Sequence, residues 1–303
     1  MDPPRTIQTP RGTIVELALP EHEHEILESG TTQERINAIS YQPIDFSQTD
    51  LPEYHPFFAL VLDNVFSEEE CAMIRALPED HWAPLVQGNA FREVDRTLVL
   101  NTQVADVLYA RIRPHLEKAG VTRLRKAGRH QAPASGANAA AGAEASTEPV
   151  RQISSPAQDW SEGIAGASNL KAGQGRHKAT WDMYAANERL SFLRYGPGMH
   201  HDRHCDQVFS RPGTDKEDKS FLTCQVYLSD RPAAEAGTAD AGGTTRFWGP
   251  PGSSFERRFV DVVPRAGRVL VFQQRMLWHS GQPVNAGLKY AMRTDLMYQR
   301  SFT

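Results

Sequence analysis

From Arg194 to Asp206 the chain reads Arg-Tyr-Gly-Pro-Gly-Met-His-His-Asp-Arg-His-Cys-Asp, with three histidines and two aspartates inside its last seven residues. Alternate side chains of a strand share a face, so His204 and Asp206 present an imidazole and a carboxylate to one side. His200 and Asp202 do the same, and parity alone does not choose between the pairs, because 200, 202, 204 and 206 would all lie on one face. One more imidazole, delivered from a distant strand, would complete a 2-His-1-carboxylate face, the arrangement that holds Fe(II) with coordination positions left open. His279, in Leu277-Trp278-His279-Ser280-Gly281, follows the apolar run Arg268–Gln273 and is the candidate. Taken alone, a histidine after an apolar strand is more often a packing or surface residue than a ligand.

Such ligands need rigid elements on both sides. After Thr180 the chain is strand-rich: Leu190–Tyr195, Ser220–Leu228, Thr244–Trp248, Phe259–Val263, Val269–Phe272 and Lys289–Tyr298 are separated by Gly-Pro-Gly, Gly-Gly, Pro-Pro-Gly and Asn-Ala-Gly turns. Many short strands at this spacing predict a sandwich or jelly roll. Upstream, Phe57–Leu62 reads as a buried strand. Ser67 with Glu70 three residues on is a capping box opening a helix. A second helix is expected from Thr102 to about His115, with Val104, Leu108 and Ile112 on one face and Pro114 ending or kinking it.

Residues 1–56 are polar and punctuated by proline, and are expected to form a loosely packed arm. Residues of about 120–178 are dominated by Ala, Gly, Ser, Gln and Pro. That composition buries too little apolar surface to offset the entropy of ordering. It is expected to be a flexible insertion interrupting a single domain of residues 57–300.

With a formal net charge of −4, the chain gives no reason to expect nucleic-acid binding, and the basic run Arg123–Arg129 reads as a solvated segment. Three cysteines do not make a disulfide framework and suit a reducing compartment. No run approaches the ~18 apolar residues of a membrane span, and the N-terminus carries no apolar core of a signal peptide. A cytoplasmic or nuclear protein without membrane contact is expected; its oligomeric state is not legible.

The ordered set of Tyr195, Gly198, His204 and Asp206, then His279, Pro283, Val284, Gly287 and Lys289, resembles the prolyl 4-hydroxylase-like branch of the 2-oxoglutarate/Fe(II)-dependent dioxygenases. Leu62–Cys71, Asn187–Leu190, Thr223–Leu228, Gly242–Phe247 and Pro264–Gly267 are also similar to segments of that family. The resemblance spans about residues 57–300. It implies an α+β, mainly β fold: a double-stranded β-helix, or jelly roll, with N-terminal supporting helices. It selects His204 and Asp206 over His200 and Asp202 and makes His204, Asp206 and His279 the Fe(II) ligands. By the same resemblance, Lys289 takes the far carboxylate of 2-oxoglutarate. Arg293, on Lys289's strand face, can assist or serve as a structural ion-pair partner. Tyr195, Tyr227 and Thr223 would supply further co-substrate contacts. The chemistry implied is hydroxylation of an unactivated C–H bond, in a prolyl residue of a protein or in a small metabolite, with release of succinate and CO2, O2 as oxidant and ascorbate as reductant. Family members that halogenate lack the carboxylate ligand, so Asp206 favours hydroxylation. Because imidazole sites also suit Zn and Ni, a non-catalytic jelly-roll protein that binds a metal or partner is the alternative. A cation ten residues beyond the distal histidine argues against it.

Overall fold

A computed structural model describes residues 4–9, 12–87, 91–125, 179–215, 217–231 and 241–302. In chain order its elements are β1 (Thr6–Thr9), β2 (Gly12–Glu16), α1 (Glu21–Ser29), α2 (Gln33–Ala38), β3 (Ser40–Pro43), β4 (Ala59–Asp63), α3 (Glu68–Ala76), β5 (Ala83–Gln87), β6 (Arg92–Leu100), α4 (Thr102–Lys118) and β7 (Arg123–Arg125). Then follow β8 (Ala179–Ala186), β9 (Arg189–Tyr195), β10 (His200–His204), β11 (Asp218–Tyr227), β12 (Thr245–Trp248), β13 (Phe259–Val262), β14 (Val269–Gln273), β15 (His279–Gly281) and β16 (Lys289–Phe302).

The strands pair in the order β13-β12-β15-β10-β6-β9-β16-β11-β14-β4-β3. From β9 onward the chain winds between two halves of this path, with β9, β11, β14 and β16 in one and β10, β12, β13 and β15 in the other. This is a double-stranded β-helix, mainly β, with helices supporting one sheet. Strands buried on both faces show it in their sequence. In β14, Val269 and Val271 join the core that contains the helical residues Val104, Leu108 and Ile112. Leu270 and Phe272 point the other way, into the interior with Phe247 and Tyr227. In β16, Met292 and Leu296 belong to the helix-side core, so Lys289, Ala291, Arg293 and Asp295 face the roll's interior.

Two expectations require correction. The described part of residues 1–56 is not loosely packed. β2 pairs in parallel with β6, β3 pairs antiparallel with β4, and Leu27, Phe46, Leu51 and Tyr54 are fully buried. These apolar residues are few and widely spaced among polar ones, so the segment reads as solvated although each side chain has a place in the core. The second helix also runs through Pro114 to Lys118, because Leu116 beyond the proline still has a buried seat. The low-complexity insertion falls mostly on residues 126–178, outside the described residues. No helix among the described residues is long and apolar enough to cross a membrane.

The capping box forms: Ser67 Oγ accepts from the Glu70 N–H at 3.1 Å, and the Glu70 carboxylate accepts from the Ser67 N–H at 2.7 Å. Glu70 has a further task that its spacing does not reveal. The fully buried Arg111 of α4 donates to both its oxygens, at 2.9 and 2.7 Å, and to the carbonyls of Val65 and Leu27. Arg35 also bonds it. Burial works against the Glu70 charge, but Arg111, the Ser67 N–H and Arg35 together hold its carboxyl below the usual range. Removing one partner of a buried ion pair costs about 3–5 kcal/mol. Arg111→Met is therefore expected to lower the denaturation midpoint sharply, measured by urea unfolding. Since the Glu70 carboxyl is depressed, this contribution is present above the unfolded-state pKa and is lost as pH falls through the folded one.

Candidate functional site

β10 and β15 lie side by side with His204 opposite His279, and their ring centroids are 4.3 Å apart. Asp206, two residues past the end of β10, returns its carboxylate between them. Its Oδ1 is 3.7 Å from His204 Nε2 and its Oδ2 is 3.7 Å from His279 Nε2. One ligand atom from each residue falls within 4.8 Å of the others. The alternative pair is set apart: the Asp202 side chain is 59% exposed against 8% for Asp206. Strict alternation does not hold here. The β10 register slips between His201 and His204, and this bulge stacks the two rings at 3.7 Å, placing His201 beside the triad as well.

The imidazoles are oriented by backbone. His204 Nδ1 is 2.7 Å from the Asp202 carbonyl, and His279 Nδ1 is 3.0 Å from the Leu277 carbonyl. A carbonyl only accepts, so each Nδ1 carries the proton and each Nε2 turns a lone pair toward Asp206. Burial, then the neighbouring His279, lowers the His204 pKa to about 3; burial also lowers that of His279. Desolvation opposes charge on Asp206, yet Arg293, the two imidazoles and the Thr223 hydroxyl hold its carboxyl well below the usual range. Two neutral imidazoles and an ionised carboxylate, converging without a proton between them, fit a divalent metal.

The triad opens onto a cavity of about 780 Å³. Its far wall is the inward face of β16. Lys289 is 2% exposed, and its ammonium lies 5.1 Å from the centre of the Tyr195 ring and 5.8 Å from that of Tyr227. Burial pushes the Lys289 pKa down to about 7. Tyr195 lines the cavity and bonds Arg92 through its side chain.

Three other residues singled out in the sequence make different contacts. Thr223 Oγ1 donates to Asp206 Oδ2 at 2.5 Å. Arg293 Nη2 is 3.1 Å from Asp206 Oδ1 and 3.5 Å from Asp295 Oδ1. Tyr227 is buried in the interior core and donates to Thr245 Oγ1 at 2.7 Å. Thr223 and Tyr227 do not line the cavity, whereas Arg293 does. Arg92 and Arg96 of β6 also line it, together with His201, Gln225 and Thr245. The alternation Arg92, Val94, Arg96, Leu98 against Glu93, Asp95, Thr97 was the available signal for β6.

A double-stranded β-helix with a 2-His-1-carboxylate set at one side of its interior and a buried lysine at the other defines the 2-oxoglutarate/Fe(II) oxygenase class. Residues 190–294 match the family model described as the 2OG-Fe(II) oxygenase superfamily. The resemblance read in its motifs is thereby borne out. No curated protein matches the chain. Similar solved structures include a collagen prolyl hydroxylase of Paramecium bursaria Chlorella virus-1 in complex with 2OG, at 15% identity over 81% of this chain and 98% of that one, with a TM-score of 0.40. A Pseudomonas putida prolyl-4-hydroxylase aligns at 13% identity over 84% and 99%, TM-score 0.42. The α-ketoglutarate-dependent epimerase SnoN of nogalamycin biosynthesis aligns at 12% over 84% and 80%, TM-score 0.41.

Proposed function

We propose that this protein is a hydroxylase of an unactivated C–H bond, in a prolyl residue or a small metabolite, within one oxygenase domain over residues 57–300 to which the described part of residues 1–56 adds strands and core residues. The observation that carries this reading is the pairing, across one cavity, of the His204–Asp206–His279 set with the buried Lys289. Those three residues would hold Fe(II). When bound, the metal supplies the coupling of O2 reduction to oxidative decarboxylation of 2-oxoglutarate. One oxygen atom goes to succinate, formed with CO2, and the other is inserted into the substrate C–H bond. Ascorbate would serve as reductant.

The protein's own part is positional. The Asp202 and Leu277 carbonyls fix the two rings. Lys289 answers the far carboxylate of 2-oxoglutarate as a point charge, with the Tyr195 ring beside it, and β16 and β11 wall the site from water. Thr223 and Arg293 act on Asp206 rather than on the co-substrate, each holding one of its oxygens. Tyr227 stands one step back, through Thr245.

The test is succinate release from 2-oxoglutarate by protein supplied with Fe(II) and ascorbate under air, with and without cell extract. Stimulation by an extract fraction supports the reading. Tight stoichiometric zinc with no 2-oxoglutarate binding replaces it with a metal-binding jelly-roll protein.

The division of labour at Arg293 makes its own prediction. Losing a group that orients a metal ligand typically costs about 10–100-fold in metal affinity. Arg293→Gln is expected to weaken Mn(II) binding by roughly that factor, with the 2-oxoglutarate KM changed far less at saturating metal. Arg293→Lys should recover part of it. The reverse pattern, an intact metal affinity with a raised KM, would assign Arg293 to the co-substrate.

A further inference from the structure

A second cavity, of about 570 Å³, adjoins the first at Cys205, which lines both. The two segments that carry the metal set also build it: Cys205 stands between His204 and Asp206, and Trp278 directly precedes His279. Glu53, Tyr54 and Phe57 of the N-terminal segment and Phe255 of the β12–β13 connection supply further wall. The rings of Tyr54 and Phe57 stack with centroids 5.3 Å apart. The Tyr54 hydroxyl accepts from the Trp278 N–H at 3.4 Å, which ties this wall to the segment holding His279.

One carboxylate stands among these rings. Both side-chain oxygens of Glu53 are shut off from solvent and have no hydrogen-bond partner among the described residues. A carboxylate offers about four acceptor sites, and burying it with none of them used is costly. Two arginines close to the same rings are engaged otherwise. Arg203 lies over the Trp248 ring and donates to the Glu256 carbonyl at 3.0 Å, and Arg258 lies over the Phe255 ring. A cation bearing N–H donors answers both features of the cavity: it supplies the missing donors, and aromatic faces attract it. The terminal torsion of a glutamate is broad, so the carboxylate can turn toward an entering donor. A neutral apolar group would cover the rings and leave the oxygens unpaired, and an anion would be repelled.

We infer that this second cavity receives a protonated amine or guanidine of the substrate to be oxidised, with Glu53 as its counter-ion. The substrate is then a basic compound, or a basic side chain of a peptide, whose cationic group is held among the rings while a carbon several bonds away passes Cys205 to the triad. This rests on the oxygenase reading and narrows it.

The experiment loads the full-length protein with Mn(II) and saturating 2-oxoglutarate. By calorimetry it is then titrated with butylammonium, butylguanidinium and Nα-acetyl-lysinamide, and with butanol and butyrate as neutral and anionic counterparts. Saturable binding of a cation but of neither counterpart is expected, and the tighter of butylammonium and the blocked lysine separates a small amine from a side chain. The proton resonances of the bound cation should be broadened by Mn(II) and not by Zn(II), which places it beside the triad. Glu53→Gln should weaken the cation by at least about tenfold while leaving 2-oxoglutarate affinity within about threefold, and Glu53→Asp should retain part of the binding. Absence of cation binding by the parent protein overturns the inference, as do resonances indifferent to Mn(II). An equal loss of 2-oxoglutarate affinity in Glu53→Gln overturns it too, by making Glu53 a structural residue. Failure of the parent protein to bind Mn(II) and 2-oxoglutarate at all overturns the oxygenase reading instead, and titration of the metal-free protein then reads the cation cavity by itself.

Discussion

His279→Ala and His204→Ala are each expected to strip the protein of its metal and reduce 2-oxoglutarate-dependent succinate release to background. Each removes one of three converging donors and leaves a single imidazole with one carboxylate of the set. The rings of Phe272 and Phe247 lie 4.7 and 6.4 Å from that of His279 and offer no substitute ligand. The variants should still fold, because His279 reaches the rest of the site only through its ring and its Nδ1–H to the Leu277 carbonyl. His200→Ala and Asp202→Ala are the controls: they lie on the outward side of β10 and should leave metal content and turnover unchanged. His201→Ala is a sharper one. Its ring stacks on His204 and its loss should disturb rate more than metal content. Metal per chain by elemental analysis, with succinate by chromatography, reads all five. Retention of iron by His204→Ala together with its loss from His200→Ala would move the site to the other H-x-D pair.

That choice between pairs shows what was legible in the chain. Strand parity left His200 with Asp202 as open as His204 with Asp206, and it was the resemblance of the ordered motifs to a known family that brought His204, Asp206, His279 and Lys289 together. Period-two alternation put Lys289 and Arg293 on one face, and both line the cavity. Alternation could not reveal the bulge that turns His201 inward, since a bulge breaks the period on which the reading depends. Nor could it separate contact with the co-substrate from contact with Asp206. Thr223 and Arg293 lie on strand faces pointing into the roll, and only the return of the chain at Asp206 decides what they touch. Arg92, Arg96 and Gly12 of the cavity wall were missed for a related reason. They reach the site only through pairings distant in sequence, β6 with β9 and β10 and β2 with β6, so the alternation in β6 does not say which of its faces meets the site. The N-terminal segment misled in the same way, its few apolar residues being widely spaced among polar ones and placed by tertiary contacts.

Lys289→Met is expected to have two opposite effects, and together they test the co-substrate role. Binding of 2-oxoglutarate should weaken by on the order of a hundredfold or more, because losing one partner of a buried charge pair costs about 2–5 kcal/mol. Without co-substrate, however, the ammonium is a buried cation with no carboxylate partner among the described residues, its pKa lowered by burial from 10.5 to about 7. Below pH 7 both folded and unfolded chains carry the proton, and the folded state bears the full penalty of burying it. Between pH 7 and 10.5 the unfolded chain holds more protons, so stability rises with pH. The methionine variant of the co-substrate-free protein should therefore be more stable than the parent, with the largest gain below pH 7 and little left near pH 10. A shift of one pKa unit corresponds to about 1.4 kcal/mol, so the gain is on the order of a few kcal/mol, read as a raised denaturation midpoint. The same titration shapes binding by the parent protein. A carboxylate at Lys289 favours the charged amine, so at pH 8 binding takes up a proton and at pH 6 it does not. Calorimetry in buffers of different ionisation enthalpy reads that uptake, and affinity should fall by up to about tenfold per unit above pH 7. A pH-independent affinity with no proton uptake, combined with a destabilised Lys289→Met, would mean that the lysine is a structural partner of groups other than the co-substrate.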